Sequence, residues 1–279
     1  MGVAFRVVQI SDPHLSGRQP RFQANFDTLC AWLHANPPDL IICTGDISLD
    51  GADSEDDLRF AAAQLARLPA RCLVIPGNHD VGDFAELESP QVTSADRLAR
   101  WRAVLGADHF VEDVPGWRLI GLNTQTMGSG LAEEAAQADA LAEAVAGADG
   151  RALALFLHKP LCRDRLDDTE VNYWSVLAPA RDGVLRAFGS TAPRFVASGH
   201  IHQWRDHAPA GLRQIWGPAI SFIVGEEQQP SLGSKLLGAV EHLLHPDGTH
   251  ASRLLTLDGL ALHDITKIPG LYAPTEVDS

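Results

Sequence analysis

The chain has 279 residues, 45% of them hydrophobic and 21% charged, ordinary values for a globular protein with one sizeable core. Lys and Arg number 22 against 36 Asp and Glu, a net charge of −14, so general binding to nucleic-acid duplexes or anionic membranes lacks its basic footprint. No stretch has the character of a membrane span or signal peptide, and the scattered Cys30, Cys43, Cys72 and Cys162 form no C-x-x-C pair, so a cytoplasmic, reducing setting is expected.

Phe5 to Ile10 reads as a strand by its apolar and β-branched content and ends at Ser11-Asp12-Pro13-His14. Phe22, Phe26, Leu29, Cys30 and Leu33 recur at helical spacing, up to a stop at Asn36-Pro37-Pro38. Leu40 to Cys43 is a short buried strand ending at Thr44-Gly45-Asp46. Ser54, with Asp57 three residues on, resembles a capping box and opens a helix to about Leu68. Cys72 to Ile75 is the next strand, closed by Pro76 and followed by Gly77-Asn78-His79-Asp80. Strand-helix-strand-helix-strand with apolar strands is the pattern of a parallel sheet covered on both faces. Right-handed crossovers then bring the three strand ends to one edge, where ligands of open α/β sheets bind.

Ser94 caps a helix carrying Leu98, Trp101, Val104 and Leu105 on one face. Trp117 to Leu122 is a strand, antiparallel or in a second sheet, that ends at Asn123, and an alanine-rich helix from about Leu131 to Val145 stops at Gly147. Ala152 to Leu157 is a buried strand ending at His158-Lys159-Pro160. Residues 159–177 form a long, charged, irregular segment with Tyr173 and Trp174, a candidate substrate or lid loop. Local packing is the preferred role for those two rings over a base-stacking platform. A helix near Pro179 to Phe188 leads to the strand Phe195 to Ala197 and then Gly199-His200-Ile201-His202, read as two histidines pointing the same way on extended backbone. Strands follow at Leu212–Trp216, Ala219–Val224, Val240–Leu244 and Arg253–Leu257, the last two joined by a turn at His245-Pro246-Asp247-Gly248. With no repeat or linker, 1–279 reads as one domain whose β-rich C-terminal part is 204–279.

Asp12, His14, Asp46, Asn78, His79, His158, His200 and His202 all stand at ends of expected strands. Oxygen and imidazole donors without thiolate suit Zn, Mn, Fe or Co, and the set is too large for one ion. Two ions about 3.5–4 Å apart fit the count, with Asp46, alone on its strand end, as the carboxylate between them. Two dications against Asp12 and Asp46 leave an excess of about +2, a positive pocket that selects a small anionic substrate and suits phosphate-ester hydrolysis. The remaining histidines (His34, His109, His207, His242, His245, His250 and His263) are assigned to surface or hairpin positions, Asp80 to orienting the site through hydrogen bonds, and Asn123 to ending a strand.

D-x-H, G-D, G-N-H-D, a lone His before x-P, and G-H-x-H, in that order from residue 12 to residue 202, resemble the calcineurin-like metallophosphoesterase superfamily. The resemblance implies a four-layer α/β/β/α sandwich of two mixed sheets. It also implies Asp12, His14 and His202 on a first metal, Asn78, His158 and His200 on a second, and Asp46 bridging. His79 would touch the substrate phosphate and the leaving oxygen, and the reaction would be in-line attack by a metal-bridging hydroxide. The G-N-H-D form and compact chain look most like bacterial class III cyclic nucleotide phosphodiesterases and related glycerophosphodiesterases, often homodimers. A phosphomonoesterase or nucleotide phosphatase on the same core is the nearest alternative, and a non-enzymatic scaffold a further one. His158-Lys159-Pro160 departs from the His-His-Pro-Pro common in such enzymes, leaving Lys159 either as a cation near the phosphate or as a solvated side chain. Residues 159–177 and Ala219–Val224 are the candidate dimer or lid elements.

Overall fold

The computed structural model describes residues 2–87 and 89–269. In chain order the elements are β1 (Phe5–Ile10), α1 (Gln23–Ala35), β2 (Leu40–Cys43), α2 (Glu55–Leu65), β3 (Cys72–Val74), α3 (Asn78–Val81), α4 (Ala95–Leu105), β4 (Phe110–Val114), β5 (Trp117–Gly121), α5 (Ala132–Ala146), β6 (Ala152–Leu157), α6 (Ala178–Phe188), β7 (Phe195–Ser198), β8 (Arg205–His207), β9 (Gln214–Trp216), β10 (Ala239–Leu244) and β11 (His250–Leu255). One sheet has the order β11-β10-β1-β2-β3, the other β4-β5-β6-β7-β9-β8. Both are mixed: β1, β2 and β3 run parallel, as do β5, β6, β7 and β9, while β10, β11, β4 and β8 pair antiparallel.

Strand alternation assembles the layers. Val7 of β1 and Ile42 of β2 face Trp117, Ala154, Phe156 and Phe195 of the other sheet, forming the core between sheets. Their neighbours Val8, Ile10, Ile41 and Cys43 turn outward under α1, α2 and α4, meeting Phe26, Leu29, Leu58 and Trp101. On the far side, Leu153, Leu155 and Leu157 of β6 lie under Leu141 of α5 and Val184 and Phe188 of α6. Helix, sheet, sheet, helix is the four-layer sandwich, and because β2 and β6 are covered on both faces their sequences are apolar throughout.

Two expected elements differ. Ala219–Val224 is not a strand; beyond an isolated bridge between Ile223 and Asp264 it is irregular, because its polar groups serve the loop after β1. Ile220 N–H donates to the Ser11 carbonyl at 3.0 Å and Ser221 Oγ to the Asp12 carbonyl at 2.6 Å. Asn78 and His79 lie on the one-turn α3 and not on a plain strand end. At α2, Ser54 Oγ accepts from Asp57 N–H at 3.3 Å, but Asp57's carboxylate turns to Ser16 Oγ at 2.9 Å, so only half of a capping box forms.

Candidate metal centre

The candidate groups come from both sheets. Asp12 and His14 follow β1, Asp46 follows β2, and Asn78 and His79 open α3 after β3; His158 follows β6, and His200 and His202 follow β7. Donor atoms of Asp12, His14 and His202 lie within 4.8 Å of one another, as do those of Asp46, His158 and His200, and those of His14, Asp46 and His79. Asp46 Oδ2 sits 3.7 Å from His14 Nε2 and 3.4 Å from His158 Nε2, between the two groups. His202 Nε2 is 3.3 Å from Asp12 Oδ1, and Asn78 Oδ1 is 3.1 Å from His158 Nε2. All eight residues are therefore brought together; seven are buried and His79 is half-buried.

The backbone is held in an unusual state to achieve this. Asp12, His14, Asp46, His200 and His202 all have φ between 45° and 65°, and among the other described non-glycine residues only Asp149 and Ala210 share that region. Each such residue costs about 1–3 kcal/mol, which the surrounding structure must offset. The extended reading of His-x-His is corrected here: φ is 65° at His200 and 54° at His202, and the two rings serve different donor groups. Close packing holds the loops. A Cβ on Gly77 would lie 2.1 Å from Asp46 Oδ1, and one on Gly199 only 1.8 Å from Ser11 Oγ. Asp80 ties the loops together by accepting from Ile47 N–H (3.2 Å), Ser48 N–H (3.0 Å), Ser48 Oγ (2.5 Å) and Gly77 N–H (2.9 Å).

Hydrogen bonds on the far ring nitrogens choose the tautomers. A carbonyl can only accept, so His158 Nδ1–H donates to Thr44 at 2.8 Å and His202 Nδ1–H to Phe222 at 2.7 Å, leaving Nε2 as the donor atom in each. His200 is reversed: Nε2–H donates to the Tyr173 carbonyl at 2.9 Å, leaving Nδ1. Asp12 Oδ1 is buried and accepts no hydrogen bond. Burial disfavours a charged His158, but Asp46 outweighs it and lifts the imidazole to about 9. Burial and then Asp46 push Asp80 up to about 6. Oriented imidazoles, an orphaned carboxylate oxygen and the absence of thiolate fit divalent cations.

Lys159 is neither solvated nor a free cation. Its side chain is fully buried with Nζ 2.6 Å from Asp83 Oδ1, over the rings of Phe84 (4.2 Å) and Tyr173 (4.7 Å). Residues 159–177 contain no helix or strand but dock on the centre, with the Tyr173 ring 4.7 Å from His200 and 5.0 Å from Trp174. Trp174, 6.0 Å from His200, also lines a cavity of about 150 Å³ with Arg163, Ile201, Gln203, Pro230 and Leu232. Sequence reasoning missed these Tyr173 contacts, because residues 159–177 carry no periodic signal, and the Phe222 carbonyl, because Ala219–Val224 has the composition of a strand. It also misplaced His242, which is buried beside Phe195 with ring centroids 4.9 Å apart.

Residues 5–204 match the family model described as calcineurin-like phosphoesterase. The chain belongs to this family. It is a metal-dependent phosphoester hydrolase by that membership and by its relatives. Over 233 residues this phosphoesterase is 29% identical to the 3',5'-cyclic adenosine monophosphate phosphodiesterase CpdA of Pseudomonas aeruginosa, covering 76% of this chain and 75% of that one. Over 208 residues it is 27% identical to the probable glycerophosphodiester phosphodiesterase GpdQ of Arcobacter nitrofigilis, covering 71% of each. Its fold is shared with a dimetal phosphatase from Danio rerio (14% identity, TM-score 0.57, 88% of this chain and 94% of that one). It is shared too with GAP50, described as the anchor in the inner membrane complex of Plasmodium (10% identity, TM-score 0.64, 93% and 87%). Among the described residues no helix is long and apolar enough to cross a membrane.

Proposed function

We propose that this phosphoesterase hydrolyses small phosphodiesters at a centre of two divalent cations of the Mn, Fe, Zn or Co class. Asp12, His14 and His202 would hold one ion, Asn78, His158 and His200 the other, and Asp46 both. When bound, such a pair supplies an activated water nucleophile and neutralises phosphoryl charge. The protein's part is to aim the imidazoles, through the Thr44, Phe222 and Tyr173 carbonyls. His79 N–H donates to Asp46 Oδ1 at 2.8 Å and its Nδ1–H to the Leu49 carbonyl at 3.1 Å, and the ring held in this way would face the phosphoryl group and the leaving oxygen. The observation that carries the reading is Asp46 Oδ2 standing between His14 and His158, each the anchor of a separate donor group.

We read the cavity lined by Trp174 and Ile201 as the place for a second ester substituent, the Trp174 ring being 6.0 Å from that of His200. The names of the two curated relatives agree with that class. Four free cysteines suit a reducing, cytoplasmic setting. The decisive test compares bis(p-nitrophenyl) phosphate with p-nitrophenyl phosphate using protein reconstituted with Mn²⁺. Asp46→Ala and Asn78→Ala should abolish hydrolysis while preserving the circular dichroism spectrum. Undiminished turnover in either variant defeats the two-ion centre, and a marked preference for the monoester defeats the diesterase reading.

A further inference from the structure

We infer that the Tyr173 hydroxyl is a substrate-contacting group, donating its proton to a phosphoryl oxygen of the ester bound beside Asn78; this rests on the phosphoesterase reading above. Tyr173 belongs to the irregular 159–177 segment, yet it is fixed from three sides. Its carbonyl accepts from His200 Nε2–H at 2.9 Å, its ring lies 4.7 Å from that of His200, and the Lys159 ammonium sits 4.7 Å from its ring centroid on the Asp83 pair. Those contacts account for the ring, and phenylalanine would serve them equally well. They do not account for the hydroxyl.

Asn78 Nδ2–H donates to Tyr173 Oη at 3.1 Å, while the same amide presents Oδ1 to His158 Nε2 at 3.1 Å. The amide thus spans from the candidate metal donors to the hydroxyl. Having accepted that bond, the hydroxyl still carries a proton, and it meets no acceptor among the described residues. Tyr173 is not sealed in: 38% of it remains exposed, beside the mostly buried residues of the centre. An oriented donor at the rim of a site for an anionic ester, with its acceptor lone pair already used, is arranged to receive an oxygen that arrives with the substrate.

The experiment uses full-length wild type and Tyr173→Phe, each metal-depleted and then titrated by calorimetry, first with Mn²⁺ and then with inorganic phosphate on the Mn²⁺-loaded protein. Hydrolysis of bis(p-nitrophenyl) phosphate is measured in parallel. Loss of one hydrogen bond to a charged oxygen should weaken phosphate binding about tenfold or more and raise KM for the diester similarly, with Mn²⁺ affinity within about twofold of wild type. If Mn²⁺ affinity falls instead, and phosphate binding returns to the wild-type value at saturating Mn²⁺, the hydroxyl only steadies Asn78 and the inference is overturned. Unchanged phosphate affinity, or a wild type that takes up no phosphate, overturns it as well. A wild type that binds phosphate but hydrolyses no diester defeats the proposed function, while the phosphate comparison still decides Tyr173.

Discussion

Lys159→Met tests how the loop beside the centre is anchored. Lys159 is fully buried and Asp83 nearly so, and their charged atoms are 2.6 Å apart. Asp83 Oδ1 also accepts from Phe84 N–H at 2.8 Å, whereas Oδ2 accepts nothing. Methionine fills similar space but leaves a carboxylate buried without its cation. Removing one partner of a buried pair costs about 3–5 kcal/mol, and the lost contacts over Phe84 and Tyr173 add up to about 1 kcal/mol each. The isolated carboxyl can escape by protonating, so its pKa in the folded variant rises above the unfolded value. The folded variant then binds more protons than its unfolded chain, and the penalty relative to wild type shrinks as pH falls. Urea unfolding at pH 8 and pH 5 should therefore show a wide gap narrowing at the lower pH. Lys159→Met/Asp83→Asn, which keeps the Phe84 bond, should recover most of the loss. A penalty under about 1 kcal/mol, or a double variant no better than the single, would refute a buried ion pair as the anchor.

Two further perturbations follow from the packing. Burial, then His250 and Arg213, hold His242 down at about 3, while an unfolded histidine titrates near 6.5. The unfolded chain alone takes up that proton, so this group's contribution is whole above about pH 6.5 and is lost as pH falls, by about 3 kcal/mol at pH 4.5. His242→Phe should flatten the pH dependence of the urea midpoint by that amount, and an unaltered profile would contradict a neutral, buried His242. A Cβ on Gly199 would press to 1.8 Å from Ser11 Oγ and 2.7 Å from Asp12 Oδ2. Gly199→Ala should lower Mn²⁺ affinity at least about tenfold, with partial recovery in Ser11→Ala/Gly199→Ala. Calorimetry showing wild-type affinity in the single variant would mean that Asp12 needs no such fit.

Much of this was legible in the chain, for identifiable reasons. Runs such as LIIC and ALALFL are apolar at every position because helices cover one face and the opposite sheet the other, so they read as buried strands without a structure. The residues after them are polar where a turn would tolerate many types, which exposed the candidate donors. The left-handed backbone at five of those donors was hidden, since Asp and His give no warning of it as glycine would. The alternating strand β4, with Val111 exposed at a sheet edge, carries too weak a pattern to stand out. Ala219–Val224 has strand composition, and only the demands of the Ser11 and Asp12 carbonyls, over 200 residues earlier, draw it out of a sheet. Lys159 misled for a similar reason: its partner Asp83 lies 76 positions away.

The division of candidate donors between the sheets has a mechanical consequence. The groups Asp12, His14 and His202, and Asp46, His158 and His200, each draw on both walls of the sandwich, whereas His14, Asp46 and His79 all follow strands of one wall. Slippage of one wall past the other would part Asp12 from His202 and Asp46 from His158 at the same moment. The close approach of these pairs is therefore a gauge of whether the two walls have docked in register, and only the one-wall trio His14, Asp46 and His79 would outlast such a slip.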